Sequence, residues 1–332
     1  MNKKKIFLVI PGHLKTVPMN RYVYETFREL GYEVEIFDIS ADTLSKKTHK
    51  FLSREHFYRS VNQRLVQKVT AFSPDLFFTV FGFDILEESL LTLRANGIPT
   101  ACWWLNDPFQ ITKSLKKAHL YDYYFTNSEG SLKTYRKEGI EKSAYLPVGI
   151  FPNVHTRLNL EKKYDVVFAG DYSPLREEIL TEVSKQFDLA IMGPWKKLDP
   201  RSPLNHYIIH RGFFTPEEMN RFFNQAKIVL NIHTWMRTHE HGINPRVFEA
   251  CGSGTLQLSD AKREIQSHYD IDREIVLYHD TTELLKKLKY FLEHESEREA
   301  IASAAFERSL RDHTYTDRIT TMLHFIETDQ QS

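Results

Sequence analysis

The chain is poor in cysteine: Cys102 and Cys251 are the only two in 332 residues, and they lie far apart. That excludes a disulfide framework and fits a reducing compartment. It also lacks surplus charge. Lys plus Arg number 44 and Asp plus Glu number 44, for a formal net charge of zero. No long basic tract is present, so a nucleic acid partner is not expected. No apolar run approaches the roughly 20 residues of a membrane span, so no transmembrane segment is expected. The opening MNKKKIFLVI has the look of a secretory leader, but its apolar run, Ile6 to Ile10, is shorter than a signal core. It reads as a first buried strand, and a cytoplasmic location is expected. There is no Gly-x-x-x-x-Gly-Lys-Ser/Thr phosphate loop and no Gly-x-Gly-x-x-Gly after a first strand, which argues against nucleotide hydrolysis and dinucleotide redox chemistry.

What is present is ordinary for a folded protein: 41% hydrophobic and 27% charged residues. The length suits two domains of about 150 residues each. Short runs at 6–10, 76–80, 100–105, 121–126 and 144–146 predict strands, and the alternation at 33–39 predicts another. Helical periodicity is predicted at 19–30, 44–71, 84–96 and 129–138, with Gly31, Asn96-Gly97 and Gly139 as stops. Pro147 to Pro152 reads as a linker. The pattern then restarts, with strands at 164–169, 189–192, 207–210, 228–232 and 255–258. Helices are predicted at 174–186, 215–225, 244–251, 281–294 and 296–311. Thr215-Pro-Glu-Glu is a helix start with an N-cap, Pro at the first position and acids in the first turn. Such alternation predicts two doubly wound parallel sheets, with ligands beyond the carboxyl ends of their strands.

The segment from Asn231 to Thr255 is the richest. A strand ends, a polar loop follows, Asn244-Pro245 opens a helix, and Gly-Ser-Gly leads to the next strand. Amides at that helix start would suit a phosphate. Arg246 in the first turn opposes the helix dipole, a cost an anionic ligand would offset. Glu249 stands three residues on, so pairing with Arg246 and contacting a ligand are both open.

Asn244-Pro-Arg-Val-Phe-Glu-Ala-Cys-Gly-Ser-Gly-Thr resembles the spore-maturation CgeB-like glycosyltransferases, within retaining enzymes of the GT-B type. The likeness is carried by about 164–320. It implies an α/β GT-B fold: two Rossmann-like domains facing a central cleft, at 1–150 on the acceptor side and 151–312 on the nucleotide-sugar side, with 313–332 a helix crossing back to the first. It implies that Glu249 contacts a nucleotide ribose, with Asn244, Arg246 and Val247 beside it. A first Glu is implied at 241, where this chain has His241. Phe168-Ala-Gly-Asp-Tyr-Ser-Pro-Leu-Arg resembles the loop that contacts the diphosphate, through Gly170 and Arg176. The alternative is an ordinary strand–helix turn. His210-Arg211-Gly212-Phe-Phe resembles the loop that stacks the base; a plain turn is equally open.

In the first half, Gly12 and His13 follow the first strand. Gly12 allows close backbone approach, and His13 is placed like the general base of inverting GT-B enzymes, which deprotonates the acceptor hydroxyl; a polar lining of the loop is the alternative. Asp107, after Trp103-Trp104-Leu-Asn, is a second candidate base; a buried role capping the next turn is equally open. His241 is the third catalytic candidate. His233, His239, Glu240 and His241 lack metal-ligand spacing, so no metal is expected. No cofactor is expected beyond the nucleotide-sugar donor, taken as a UDP-sugar. The function implied is transfer of a sugar from that donor to a glycan, protein or small-molecule acceptor in spore or cell-envelope glycosylation, with retention favoured by the signature and inversion left open by His241 and His13. A non-catalytic binding protein of the same shape and a sugar-nucleotide epimerase are the alternatives.

Overall fold

Continuous apolar runs become strands covered on both faces, because each can bury every second side chain on opposite sides. The computed structural model describes residues 4–14, 17–40 and 54–331. Its elements divide between two units, Met1–Pro147 with Tyr315–Ser332, and Val148–Thr314.

The first unit contains β1 (Lys5–Ile10), α1 (Pro18–Glu29), β2 (Glu33–Asp38), α2 (Arg54–Phe72), β3 (Leu76–Val80) and α3 (Glu87–Ala95). It continues with β4 (Thr100–Trp104), α4 (Ile111–Ala118), β5 (Tyr123–Thr126), α5 (Glu129–Lys137) and β6 (Ser143–Tyr145). The sheet is six-stranded, in the order β2-β1-β3-β4-β5-β6, and each pairing is parallel. The predicted helix at 44–71 is present as α2; its expected first turns, 44–53, lie outside the described residues. Helix α4 was not expected.

In the second unit follow β7 (Tyr164–Ala169), α6 (Pro174–Ser184), β8 (Leu189–Gly193), β9 (Ile208–Arg211), α7 (Pro216–Asn224) and β10 (Ala226–Asn231). Then come α8 (Arg246–Gly252), β11 (Leu256–Asp260), β12 (Val276–Tyr278), α9 (Thr281–Glu293) and α10 (Glu295–Asp312). The order is β12-β11-β10-β7-β8-β9, again parallel throughout. Val166 and Phe168 of β7 pack into the core on one face with Ile228 and Leu230, and Val167 and Ala169 into that on the other with Val229. Helix α7 begins with a full capping box: Thr215 Oγ1 accepts from the Glu218 amide at 3.1 Å, and the Thr215 amide donates to Glu218 Oε2 at 2.7 Å.

Helix α11 (Tyr315–Gln331) belongs to the first unit. Tyr315 packs on Tyr22 of α1 with ring centroids 5.2 Å apart, and Tyr123 donates to Asp329 at 2.8 Å. The stretch expected to be a linker holds the division between the two units, between Pro147 and Val148, but Val148, Ile150 and Phe151 are buried rather than exposed. Its two prolines and glycine shape a packed segment, held by the Ile150 amide donating to the His313 carbonyl at 2.7 Å.

Candidate functional site

Three adjacent strands of the second unit end in glycine: Gly170 after β7, Gly193 closing β8 and Gly212 after β9. Their backbones lie against one another. Gly170 donates to the Met192 carbonyl at 3.0 Å, and Gly212 donates to the Gly193 carbonyl at 3.1 Å. Gly193 has φ +148°, and a Cβ there would land on the Gly170 carbonyl oxygen. The rim of the sheet is therefore bare backbone, the surface a nucleotide approaches in open α/β sheets. Gly193→Ala should destabilise the protein by about 1–3 kcal/mol, from backbone strain alone, read as a lower midpoint in urea unfolding.

Arg176 enters from the first turn of α6, where Ser173 caps the helix and Pro174 occupies its first position. Its guanidinium is buried over the Phe168 ring. Nε and Nη2 donate to the Ile232 carbonyl at 3.1 and 2.9 Å, and Nη1 donates to the Asp171 carbonyl at 3.0 Å and to the Asp171 carboxylate. All three nitrogens thus brace the β7 turn against the end of β10. Arg246 reaches the same rim from α8. Its Nε donates to the Ala169 carbonyl at 3.1 Å, its plane lies over Phe214, and its Nη1 pairs with Glu249 Oε2. Glu249 is 8% exposed. Glu249 and Arg246 thus pair across one helical turn, at the edge where Ala169 and Gly170 end β7.

Two expectations for this segment are corrected. The amides of Val247, Phe248 and Glu249 donate to the carbonyls of Asn244, Pro245 and Pro245, at 3.2, 3.0 and 3.0 Å. The helix closes so tightly on Asn244-Pro245 that these amides are not offered outward. Val247 is fully buried, so with its amide engaged it is a core residue rather than a ligand contact. Asn244 exchanges side-chain hydrogen bonds with Asn231, at 2.9 and 3.2 Å. Arg211 is exposed and donates to Asn205 at 2.6 Å.

The loop between β10 and α8 is fastened from behind by a chain of buried charges. His233 accepts from the Asn244 amide through Nε2 at 3.0 Å, so its Nδ1 carries the proton and donates to Asp260 at 2.7 Å. The His233 amide donates to the same oxygen at 2.8 Å. Lys262 stands 3.4 Å from the other Asp260 oxygen and donates to the His239 and Met236 carbonyls at 2.7 and 3.3 Å. Burial works to raise the Asp260 carboxyl, but His233 and Lys262 outweigh it and hold the group below the usual range. Position 241, where the resemblance implies an acid, carries a half-exposed His241. Glu264 supplies a carboxylate there from another segment: it accepts from the Gly242 amide and stands 3.7 Å from His241 Nδ1. Asp260, Lys262 and Glu264 were not singled out from the sequence, because nothing local distinguishes them from a solvated Asp-x-Lys-x-Glu run.

In the first unit, Gly12 follows β1 with its amide donating to Asp38 Oδ1 at 3.1 Å and its carbonyl accepting from Asn20 at 2.9 Å. His13 is exposed beside it. Asp107 is corrected. It is fully buried, and Oδ2 accepts from Thr126 at 2.7 Å and from Tyr135 at 2.5 Å. A carboxylate turned into the core has no path to an acceptor hydroxyl, so it holds β5 and α5 rather than serving as a base. Burial pushes its carboxyl above the ordinary range, against the hydrogen bonds from Tyr135 and Thr126. For an acid raised on folding, stability is fully present below the unfolded pKa of about 3.9 and declines as pH rises to the folded value. Asp107→Asn should flatten that decline, seen as a smaller loss of urea midpoint between pH 4 and 7.

Residues 175–324 match the model of a glycosyl transferase-like family. The spore protein CgeB of Bacillus subtilis (strain 168) is 24% identical over 269 residues, covering 76% of this chain and 83% of that protein. Among solved structures, the sucrose-phosphate synthase of Thermosynechococcus elongatus aligns with a TM-score of 0.72 at 10% identity, over 99% of this chain and 100% of that one. Anabaena HepE in complex with UDP and glucose aligns at 0.67 and 15% identity over the whole of both chains, as does its complex with UDP-glucose. The likeness to the glycosyl transferase-like family therefore lies in residues 175–324, on a chain with the two-sheet GT-B fold of its structural neighbours.

Proposed function

We propose that the chain transfers a sugar from a UDP-sugar donor, with retention, to an acceptor hydroxyl. The observation that carries this is the Glu249 carboxylate: almost buried, paired with Arg246, and standing where β7 ends in bare glycine backbone. A carboxylate at the strand ends of such a sheet suits two ribose hydroxyls, which donate to it. Arg246 beside it suits the diphosphate, whose leaving charge it would stabilise. UDP is the favoured nucleotide because HepE, of the same fold, has been captured with UDP and with UDP-glucose. Gly12 and His13 are the acceptor-side residues in this reading. A spore or cell-envelope glycan fits the likeness to CgeB, and the two buried free cysteines suit the cytoplasm. Calorimetric titration with UDP, UDP-glucose, GDP and ADP tests the donor site: UDP and UDP-glucose should bind with the highest affinity. No binding of any nucleoside diphosphate would remove the basis of the proposal. Release of UDP from UDP-glucose without transfer to any hydroxyl would remove the transferase step.

A further inference from the structure

The turn that opens the second unit ends in His155, which is fully buried. The turn closes on itself: the Val154 and His155 amides donate to the Phe151 carbonyl at 2.9 and 2.8 Å. The imidazole folds back so that the Phe151 amide donates to His155 Nδ1 at 3.0 Å. A backbone amide can only donate, so Nδ1 presents its lone pair and the ring proton resides on Nε2. Nε2 stands 3.8 Å from Glu249 Oε1, while Oε2 of the same carboxylate is taken by Arg246.

We infer that His155 is a positioning residue, whose Nε2–H fixes the direction of the Glu249 carboxylate from the side opposite Arg246. The inference rests on the reading of Glu249 as the ribose contact only for its functional consequence. The geometry stands without it. The ring has little freedom to leave. Immediately after it, Thr156 accepts from Asn220 and Asn224 at 2.9 and 3.1 Å and donates to Asn220 at 3.2 Å, and the Leu158 amide donates to Asn224 at 2.6 Å. On the other side α8 comes close because position 252 has no side chain: a Cβ on Gly252 would stand 2.6 Å from Ile150 Cγ2 and 3.2 Å from His155 Cβ. Burial lowers the His155 pKa, and Arg246 acts in the same direction against Glu249 and Glu217, the acids that face the ring from α8 and α7. The imidazole is therefore a neutral donor, and a neutral donor directs a carboxylate without cancelling its charge.

Two measurements on the full chain test this. In long-range proton–nitrogen correlation spectra of histidine-labelled protein, one ring should stay in the Nε2–H form from pH 5.5 to 8. Its signals should vanish in His155→Gln, and its Nε2 resonance should move in Glu249→Gln. An Nδ1–H form, or titration of that ring within the range, would overturn the inference. In UDP titrations, His155→Leu should weaken binding several-fold, because Glu249 loses a directing N–H dipole at 3.8 Å rather than a full hydrogen bond. His155→Gln, which returns an N–H donor, should recover most of it. Equal effects from both variants, or none from Leu, would also overturn it. Should the Leu variant not fold, His155→Asn, whose shorter amide falls short of Glu249, takes its place and should weaken UDP in the same way; unchanged affinity would count against the inference. If the wild type does not bind UDP, the proposed function fails while the spectra still decide the role of His155.

Discussion

Asp260→Ala should lower the unfolding free energy by about 3–5 kcal/mol, the usual result of removing one partner from a buried ion pair. The carboxylate serves four groups at once: the His233 amide, the His233 ring, the nearby Lys262 ammonium, and through His233 the Asn244 amide. Deleting it leaves the Lys262 charge buried with carbonyl partners alone and the Nδ1–H of His233 without an acceptor. Asp260→Asn keeps the shape and one acceptor, so it should lose less, which separates charge from packing. Urea unfolding with a fixed slope reads the difference. The pH dependence has a definite sign. The folded pKa is depressed, so the contribution of Asp260 is present above the unfolded value of about 3.9 and disappears as pH falls through the folded one. The acid limb of stability should therefore be shallower in Asp260→Asn, opposite to Asp107→Asn, which acts on the limb above pH 4.

That contrast bears on what could be read beforehand. Most strands were legible because they are short apolar runs, many closed by Gly, Pro or Asn, and parallel burial on both faces leaves such runs uninterrupted. Strand β12 was not, because Val276–Tyr278 is only three residues and an edge position needs no longer signal. Helix α4 escaped because it is only eight residues long: Ile111, Leu115 and Ala118 pack on the core at helical spacing, but three apolar residues among Thr, Ser and Lys make a weak signal. The pairing of Glu249 with Arg246 was legible because it is three residues along one helix. The partners of Asp107 at Thr126 and Tyr135, and of Asp260 at His233, come from other strands and helices, where spacing along the chain carries no trace. His155 is the extreme case, 94 positions from the carboxylate it faces and just beyond a segment whose prolines and glycine read as a connector.

Glu249→Ala should weaken UDP by roughly 10- to 150-fold, about 1.5–3 kcal/mol, as expected for a hydrogen bond to a charged group. Two opposing effects have to be separated. The variant removes the acceptor for ribose hydroxyls, but it also releases Arg246, whose remaining holds are the Ala169 carbonyl and the Phe214 ring. A freed guanidinium would favour the diphosphate and mask part of the loss. Uridine, which has no phosphate, should therefore suffer at least as much from the substitution as UDP. A cycle with 2′,3′-dideoxyuridine diphosphate isolates the ribose itself. The wild type should prefer UDP over the dideoxy compound, and Glu249→Ala should erase that preference. If instead the variant loses thermal stability but keeps both UDP affinity and the preference, then Glu249 serves only to hold Arg246, and the carboxylate is part of the frame of α8 rather than of the nucleotide site.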